Sequence, residues 1–120
     1  MITLLVLRTT DLAQTRAFYE TVGLAFVEEQ HGNGPVHYAC ERDGMVIELY
    51  PGKPGSAPDR RTAGATMIGF RVDHVDAVLA NFRAMGAIIL TEAQSSAWGQ
   101  RAVVQDPDGR AIELSSPAIT

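Results

Sequence analysis

Two glutamates occupy the same place in a heptapeptide that occurs twice in this chain. Residues 43–49 read Asp-Gly-Met-Val-Ile-Glu-Leu, and residues 108–114 read Asp-Gly-Arg-Ala-Ile-Glu-Leu. Glu48 and Glu113 are therefore equivalent positions of a duplicated module. Carboxylates can ligate a divalent cation, and a buried carboxylate can act as a general base. The repeat predicts two related positions for chemistry or binding.

Composition limits the partners that such carboxylates could serve. The chain has 120 residues, a formal net charge of −4, 46% hydrophobic residues and 20% charged residues. These values are typical of a globular protein, and the acidic balance argues against a nucleic-acid partner, which needs a basic patch. The lone Cys40 excludes an internal disulfide and predicts a small buried side chain in a reducing cytoplasm. No run approaches the roughly 20 apolar residues of a membrane span, so no membrane partner is expected.

Hydrophobic periodicity and turn residues predict the element order βαβββ, twice. One helix is expected to begin after Thr10 or Asp11 and to end at Gly23, and the other to begin after Asp73 and to end at Gly86. The predicted strands are residues 2–8, 24–28, 36–41, 45–50, 66–72, 88–90, 101–105 and 110–115.

A Pro/Gly-rich stretch divides the chain near its middle. Residues 51–64 are predicted to be a linker between modules at about 1–50 and 65–116. Two copies of a unit of this size are too few for a repeat array, which needs at least three. We therefore expect a single α+β domain over residues 1–120.

The hairpin that closes each module decides which side chains accompany the glutamates. Three-residue loops are expected at residues 42–44 and 107–109, because each ends in a glycine suited to the left-handed closing position. With these loops, the directly opposite pairs are Glu48 with Tyr38 and Glu113 with Val103. In the first hairpin this register turns His37 away from Glu48.

Period-two alternation then assigns the two faces of each hairpin. The face toward the helix is predicted to carry Ile47, Leu49, Ile112 and Leu114. The other face is predicted to carry Val46, Glu48, Tyr50, Ala111, Glu113 and Ser115, with strand partners Val36, Tyr38, Cys40, Arg101, Val103 and Gln105. Such a mixture of aromatic, charged and apolar groups is typical of a ligand cavity. A slip of one residue would exchange the two faces.

Several fragments in this order resemble the vicinal oxygen chelate superfamily, which includes glyoxalase I, extradiol dioxygenases and bleomycin-resistance proteins. The fragments are residues 7–12, 18–19, 22–24, 70–73, 98–101 and 106–114. The resemblance covers nearly the whole chain. It implies two βαβββ modules that form a curved mixed sheet around a cleft, and commonly a homodimer. Whether the modules pair within a chain or swap between chains stays open.

The resemblance also implies where a metal would bind in metal-dependent members. Their four ligands come from the first and the last strand of each module. Glu48 and Glu113 match the last-strand positions, whereas the first-strand positions carry Leu4 and Met67 in place of the usual His or Gln. None of the three histidines stands at a ligand position, since His31 lies in a turn and His74 at a helix start. We therefore predict no metal site of the family type and no cofactor.

Alternative interpretations remain for the residues of the predicted cleft. Trp98 either stacks on a ligand as a lid or caps the core, and Arg101 reaches Glu113 diagonally as a ligand-orienting pair or as a structural ion pair. The two glutamates could also be solvated carboxylates without a role. The predicted ligand-binding residues are Tyr38, Glu48, Tyr50, Trp98, Arg101, Val103 and Glu113.

Two classes of function follow. The favoured one is a metal-free protein of the bleomycin-resistance type that sequesters an antibiotic or aromatic metabolite, with a small molecule as its partner. The alternative is an enzyme, either a metal-dependent lyase or dioxygenase or a metal-free isomerase with Glu113 or Glu48 as general base.

Overall fold

The computed structural model describes residues 2–53 and 67–118 of the chain. The chain divides into two compact units, Met1–Ser56 and Ala57–Thr120, and each is described by itself. The predicted linker at 51–64 lies outside the described residues from residue 54 onward.

The first unit is a four-stranded mixed sheet with one helix. Its elements are β1 (Leu4–Thr9), α1 (Leu12–Glu20), β2 (Val27–Glu29), β3 (His37–Arg42) and β4 (Met45–Pro51). The strand order is β1-β4-β3-β2, in which β1 runs parallel to β4 and the other pairs are antiparallel.

The second unit has the same order and topology. Its elements are β5 (Ile68–Arg71), α2 (Val75–Ala84), β6 (Ile88–Ser96), β7 (Gly99–Gln105) and β8 (Ala111–Pro117). The strand order is β5-β8-β7-β6, with β5 parallel to β8. The predicted α+β class and the repeated βαβββ order are confirmed. Strand β6 is longer than predicted because it continues through the polar residues 91–96.

Both helices begin within a residue of the predicted position, but they end at Glu20 and Ala84, which are three and two residues before the predicted stops at Gly23 and Gly86. The Asp11 side chain accepts a hydrogen bond from the Gln14 amide and caps α1, as predicted. The predicted cap of α2 was Asp73, but the N-cap is His74, whose side chain makes no capping bond. Gly23 and Gly86 follow the helices with φ of 104° and 80°, a conformation that glycine adopts without strain.

Each helix covers one face of its own sheet. Helix α1 packs on β3 and β4, and α2 packs on β6, β7 and β8. The four heptapeptide residues predicted to face the helices are all buried, namely Ile47, Leu49, Ile112 and Leu114. Period-two alternation therefore predicted the inward face correctly in both units.

The two closing hairpins differ in their turns. In the first, Arg42 pairs with Met45, and the two loop residues Asp43 and Gly44 have φ of 52° and 83°. Positive φ at both positions is the geometry of a type I′ turn. The predicted three-residue loop is therefore wrong here, and the register of β3 against β4 shifts by one residue.

The second hairpin has the predicted three-residue loop. The Asp106 amide donates to the Arg110 carbonyl at 2.8 Å, and the Gly109 amide donates to the Asp106 carbonyl at 3.0 Å. The buried Asp106 carboxylate accepts from the Asp108 and Arg110 amides and from the Arg110 guanidinium. The predicted pairing of Glu113 with Val103 is confirmed.

No helix in the described parts of the chain is both long enough and apolar enough to cross a membrane.

Candidate ligand-binding site

The open face of the first sheet carries Glu48 among apolar and aromatic neighbours. Alternation along β4 places Glu48 and Tyr50 on the face away from α1. Val6 lies beside Glu48 in the parallel register of β1 and β4. Leu4 shares this face and is 53% exposed. Apolar side chains of β1 therefore lie along one side of this carboxylate.

The pairing of β3 with β4 brings a histidine to this carboxylate. Ala39 pairs with Glu48 and Tyr38 with Leu49, so that His37 follows opposite Tyr50. The His37 and Tyr50 rings stack with centroids 4.2 Å apart and an interplanar angle of 10°. The His37 Nε2 atom lies 3.3 Å from the Glu48 Oε2 atom and 3.3 Å from the Tyr50 hydroxyl. The prediction that His37 points away from Glu48 is wrong, because the shorter turn exchanges the faces of β3.

The same shift moves two predicted cleft residues to the other side of the sheet. Tyr38 pairs with Leu49 and Cys40 with Ile47, which both face the helix. The Arg16 guanidinium on α1 lies 4.5 Å from the centre of the Tyr38 ring, and its contact with Tyr38 raises the Arg16 pKa. Tyr38 therefore packs against α1, and its assignment to the open face is wrong.

Tyr50 stands at the centre of the charged groups on this face. The Arg8 guanidinium lies 5.6 Å from the centre of the Tyr50 ring. Burial raises the pKa of the Tyr50 phenol, and the carboxylates of Glu48 and Glu29 raise it further. The phenol thus remains a hydrogen-bond donor at neutral pH.

The open face of the second sheet pairs its glutamate with an arginine. The Arg101 Nε atom donates to the Glu113 Oε1 atom at 2.7 Å, so the predicted diagonal contact is confirmed. The two side chains are 50% and 32% exposed. Val103 lies opposite Glu113 but is only 4% exposed, so it offers little surface to a ligand. Gly69 on β5 lies beside Glu113 and leaves space next to the carboxylate.

Trp98 lies in the tight connection between β6 and β7. Ser96 pairs with Gly99, and the Trp98 amide donates to the Ser96 hydroxyl at 3.2 Å. A Cβ atom at Gly99 would collide with the Ser116 carbonyl oxygen, so glycine is required there. The Trp98 side chain is 89% exposed, and the alternative that it caps the core is therefore wrong. Its role as a lid stays a prediction.

A separate hollow of about 470 Å³ lies beside the Trp98 connection in the second unit. Its wall includes His74 at the start of α2, Ser95, Gln100 and Ser116. Gln100 donates to the Asp76 carboxylate at 3.1 Å and pairs with Ser116. Gln100 and Arg101 are neighbours on β7 that point to opposite faces, so this hollow is distinct from the Arg101–Glu113 pair. No sequence motif marks its polar residues, so the hollow is not among the predicted sites.

The first-strand positions do not fit a metal centre of the vicinal oxygen chelate type. Leu4 and Met67 are both exposed, at 53% and 51%, and neither side chain is an oxygen or imidazole ligand. Two of the four expected ligands are therefore missing.

The comparisons with known proteins agree with this fold. A model of the Glyoxalase/Bleomycin resistance protein/Dioxygenase superfamily matches residues 2–114. An uncharacterized protein of Mycolicibacterium smegmatis is 30% identical over 114 residues, which cover 95% of this chain and 91% of that protein.

Two solved structures represent the structural likeness. TnmS3, an antibiotic binding protein from Streptomyces sp. CB03234, is 26% identical with a TM-score of 0.68, covering 98% of this chain and 96% of that chain. The hypothetical protein SA1046 from S. aureus is 17% identical with a TM-score of 0.72, covering 97% and 96%. With two βαβββ units and a family match along nearly its whole length, this chain belongs to the Glyoxalase/Bleomycin resistance protein/Dioxygenase superfamily.

Proposed function

We propose that this chain binds a small aromatic molecule, such as an antibiotic, on the open faces of its sheets and does not use a metal centre of the family type. The proposal rests on Leu4 and Met67. These apolar residues occupy the two first-strand positions that hold metal ligands in metal-dependent family members, on faces that retain Glu48 and Glu113. Apolar groups at these positions remove metal ligands and add surface for an organic ligand.

The polar groups on the open faces suit recognition of a planar ligand with hydrogen-bonding substituents. Tyr50 offers an aromatic face and a phenol, while Arg101 and Glu113 offer a fixed donor and acceptor. The net charge of −4 favours a ligand that carries positive charge. The name of TnmS3 describes an antibiotic-binding protein on the same fold, which supports this substrate class.

The proposal includes the form in which the protein acts. We expect a homodimer in the cytoplasm, where a reducing environment keeps the buried Cys40 as a thiol. Light scattering after size exclusion would measure the oligomeric state.

Binding can be tested with metal-free bleomycin and with doxorubicin as probes, in a buffer that contains EDTA. Trp98 is the single tryptophan, so its fluorescence reports directly on the second unit, and thermal shift reports on the whole chain. We expect at least one of the probes to raise the melting temperature in a concentration-dependent manner. Stabilisation by neither compound, nor by a broader panel of planar aromatic antibiotics, would refute the proposal.

The two tyrosines of the first unit supply a matched pair of variants. Tyr50→Ala removes an aromatic group from the open face, whereas Tyr38→Ala removes one from the face covered by α1. We expect the dissociation constant to rise about tenfold for Tyr50→Ala and to stay within about threefold for Tyr38→Ala. Equal effects of the two substitutions would show that the open face is not the binding surface.

A further inference from the structure

We propose that the hairpin between β2 and β3 holds a divalent transition-metal ion, Zn²⁺ by its donor chemistry, through Glu29, His31 and His37. One potential ligand atom from each of these residues lies within 4.8 Å of the other two. The site lies in the first unit alone and uses none of the family ligand positions. It lies next to Glu48 and Tyr50 on the open face of the first sheet, but the proposed small-molecule binding does not require the metal.

The local backbone brings the three side chains together. Glu29 is the last residue of β2 and lies directly opposite His37, the first residue of β3. His31 begins the turn between them, in which the Gly34 amide donates to the His31 carbonyl at 2.9 Å. The Gln30 side chain donates to the Gly34 carbonyl at 3.0 Å and ties the loop across its base. The positions of the donors are therefore built into the hairpin.

A backbone carbonyl fixes which His37 nitrogen can bind a metal. The His37 Nδ1 atom lies 3.2 Å from the Pro35 carbonyl oxygen, which can only accept a hydrogen bond. Nδ1 must therefore carry a proton, and Nε2 is left as the nitrogen with an available lone pair. An N–H bond from the second ring nitrogen to a backbone carbonyl is the usual way in which proteins orient a metal-binding histidine.

The surroundings of Nε2 favour a positive charge. The Glu48 Oε2 atom lies 3.3 Å from this buried nitrogen, so a carboxylate and an imidazole lone pair approach each other without a proton between them in the neutral ring. The Tyr50 hydroxyl lies 3.3 Å from the same nitrogen. A cation bound at Nε2 would be attracted by the Glu48 carboxylate, while Glu29 and His31 offer the further ligand atoms of the cluster.

The donor set suits zinc. Two imidazoles and one carboxylate are a known set for zinc sites that keep a position open for water. His31 has 72% of its side chain exposed and Glu29 has 36%, and their Nε2 and Oε2 atoms lie 3.8 Å apart. With metal–ligand bonds of about 2.1 Å, tetrahedral donors lie roughly 3.4 Å from one another. The two exposed side chains can close the remaining distance by rotation, while His37 stays fixed.

The site can be tested by titrating the full chain with zinc in a calorimeter, in the absence of any organic ligand. The measurement gives the number of zinc ions bound per chain and their affinity. The chain supplies a matched control for each variant. Glu28 neighbours Glu29 on β2 but points to the other face, and His74 is an exposed histidine of the second unit. We expect one Zn²⁺ per chain, with affinity about tenfold weaker in Glu29→Gln and in His31→Ala. Glu28→Gln and His74→Ala should bind as the parent does.

Both test residues are exposed enough that their loss should leave the fold intact, and circular dichroism would verify this. Absence of zinc binding, or equal weakening by the control variants, would overturn the proposal. So would a zinc-dependent dimer in light scattering, because exposed histidines of two chains would then share the ion. The probe titrations in EDTA are independent of this result, so failure of the metal site and failure of the small-molecule site can be told apart.

Discussion

The two modules place a basic side chain diagonally across from the repeated glutamate, but they use different residues to do so. His37 lies opposite Tyr50 and contacts Glu48, and Arg101 lies opposite Ser115 and contacts Glu113. The turns that lead to these pairs differ in length by one residue. Both modules therefore keep a carboxylate with a basic side chain diagonally opposite, although His37 and Arg101 do not align in the sequence repeat.

The environments of the two pairs differ in burial. His37 is 1% exposed and Glu48 18%, whereas Arg101 is 50% exposed and Glu113 32%. The neighbour on the first strand also differs, because Val6 lies beside Glu48 and Gly69 beside Glu113. The first module thus has a closed polar cluster, and the second has an open ion pair with space next to it. We expect the first to contribute more to stability and the second more to contacts with a ligand.

Substitutions in the closing turns should show the largest difference in stability between the two modules. The Asp106 carboxylate is 2% exposed and accepts three hydrogen bonds, two from backbone amides and one from Arg110. Asp106→Ala should lower the free energy of unfolding by about 3 kcal/mol, because it leaves these donors without an acceptor. The equivalent residue before the first heptapeptide, Glu41, is exposed, so Glu41→Ala should cost less than about 0.5 kcal/mol. Urea denaturation measures both, and similar losses would contradict the assigned role of Asp106.

A proline substitution should separate the two turn types. Asp43 has φ of 52°, which proline cannot adopt, so Asp43→Pro should cost about 2 kcal/mol or more. In the second hairpin Pro107 already occupies the first loop position, and Pro107→Ala should cost less than about 1 kcal/mol. Thermal and urea denaturation would measure the two losses. A well-tolerated Asp43→Pro would contradict the type I′ turn assigned to the first hairpin.

These turns explain which parts of the structure could be predicted from the sequence. The alternation of Ile47 and Leu49 with Glu48 depends only on the period of a strand, and it was predicted correctly in both modules. The partner strand depends on whether Asp43 adopts a positive φ, which the Asp-Gly pair allows in two kinds of loop. Because the observed loop is one residue shorter than the predicted one, Tyr38 lies on the helix side of the sheet and His37 on the open face.

The candidate metal site could not be predicted for a related reason. Glu29, His31 and His37 are near one another in the sequence, but only the register of β2 against β3 brings the first and last together. The predicted second strand ends one residue earlier, at Glu28, and the predicted register puts His37 on the wrong face. The family pattern concerns only the positions of Leu4, Glu48, Met67 and Glu113. The absence of metal ligands at Leu4 and Met67 carries no information about ligands elsewhere in the chain.

Substitutions two residues after each repeated glutamate, at Tyr50 and Ser115, should have a smaller effect on stability. The Tyr50 hydroxyl lies 3.3 Å from the buried His37 Nε2, so Tyr50→Phe should lower the free energy of unfolding by about 1 kcal/mol. Ser115 holds the same position in the second module opposite Arg101, and Ser115→Ala should change stability by less than about 0.5 kcal/mol. Chemical denaturation of both variants provides the measurement. Equal effects would argue against a tighter polar cluster in the first module.

The smallest effect on stability should come from the Arg101–Glu113 pair. Because both side chains are substantially exposed, solvent screens their attraction, and Arg101→Met should cost no more than about 0.5 kcal/mol. About 0.5 M NaCl should remove most of even that difference. The same variant should weaken binding of a responding probe by about tenfold, while Gln100→Ala, on the opposite face, should not.

This last pair of measurements decides between a structural ion pair and one that orients a ligand. A structural pair would lower stability when it is broken and would leave the dissociation constant unchanged. If the pair serves recognition, breaking it would raise the dissociation constant and leave stability nearly unchanged. The Arg101 Nε and Glu113 Oε1 atoms are 2.7 Å apart, but the two side chains lack the burial that would make the contact strongly stabilising. If Arg101→Met lowers stability by more than about 1 kcal/mol and leaves probe binding intact, the open face of the second module has no ligand to orient, and the hollow beside Trp98 becomes the better candidate.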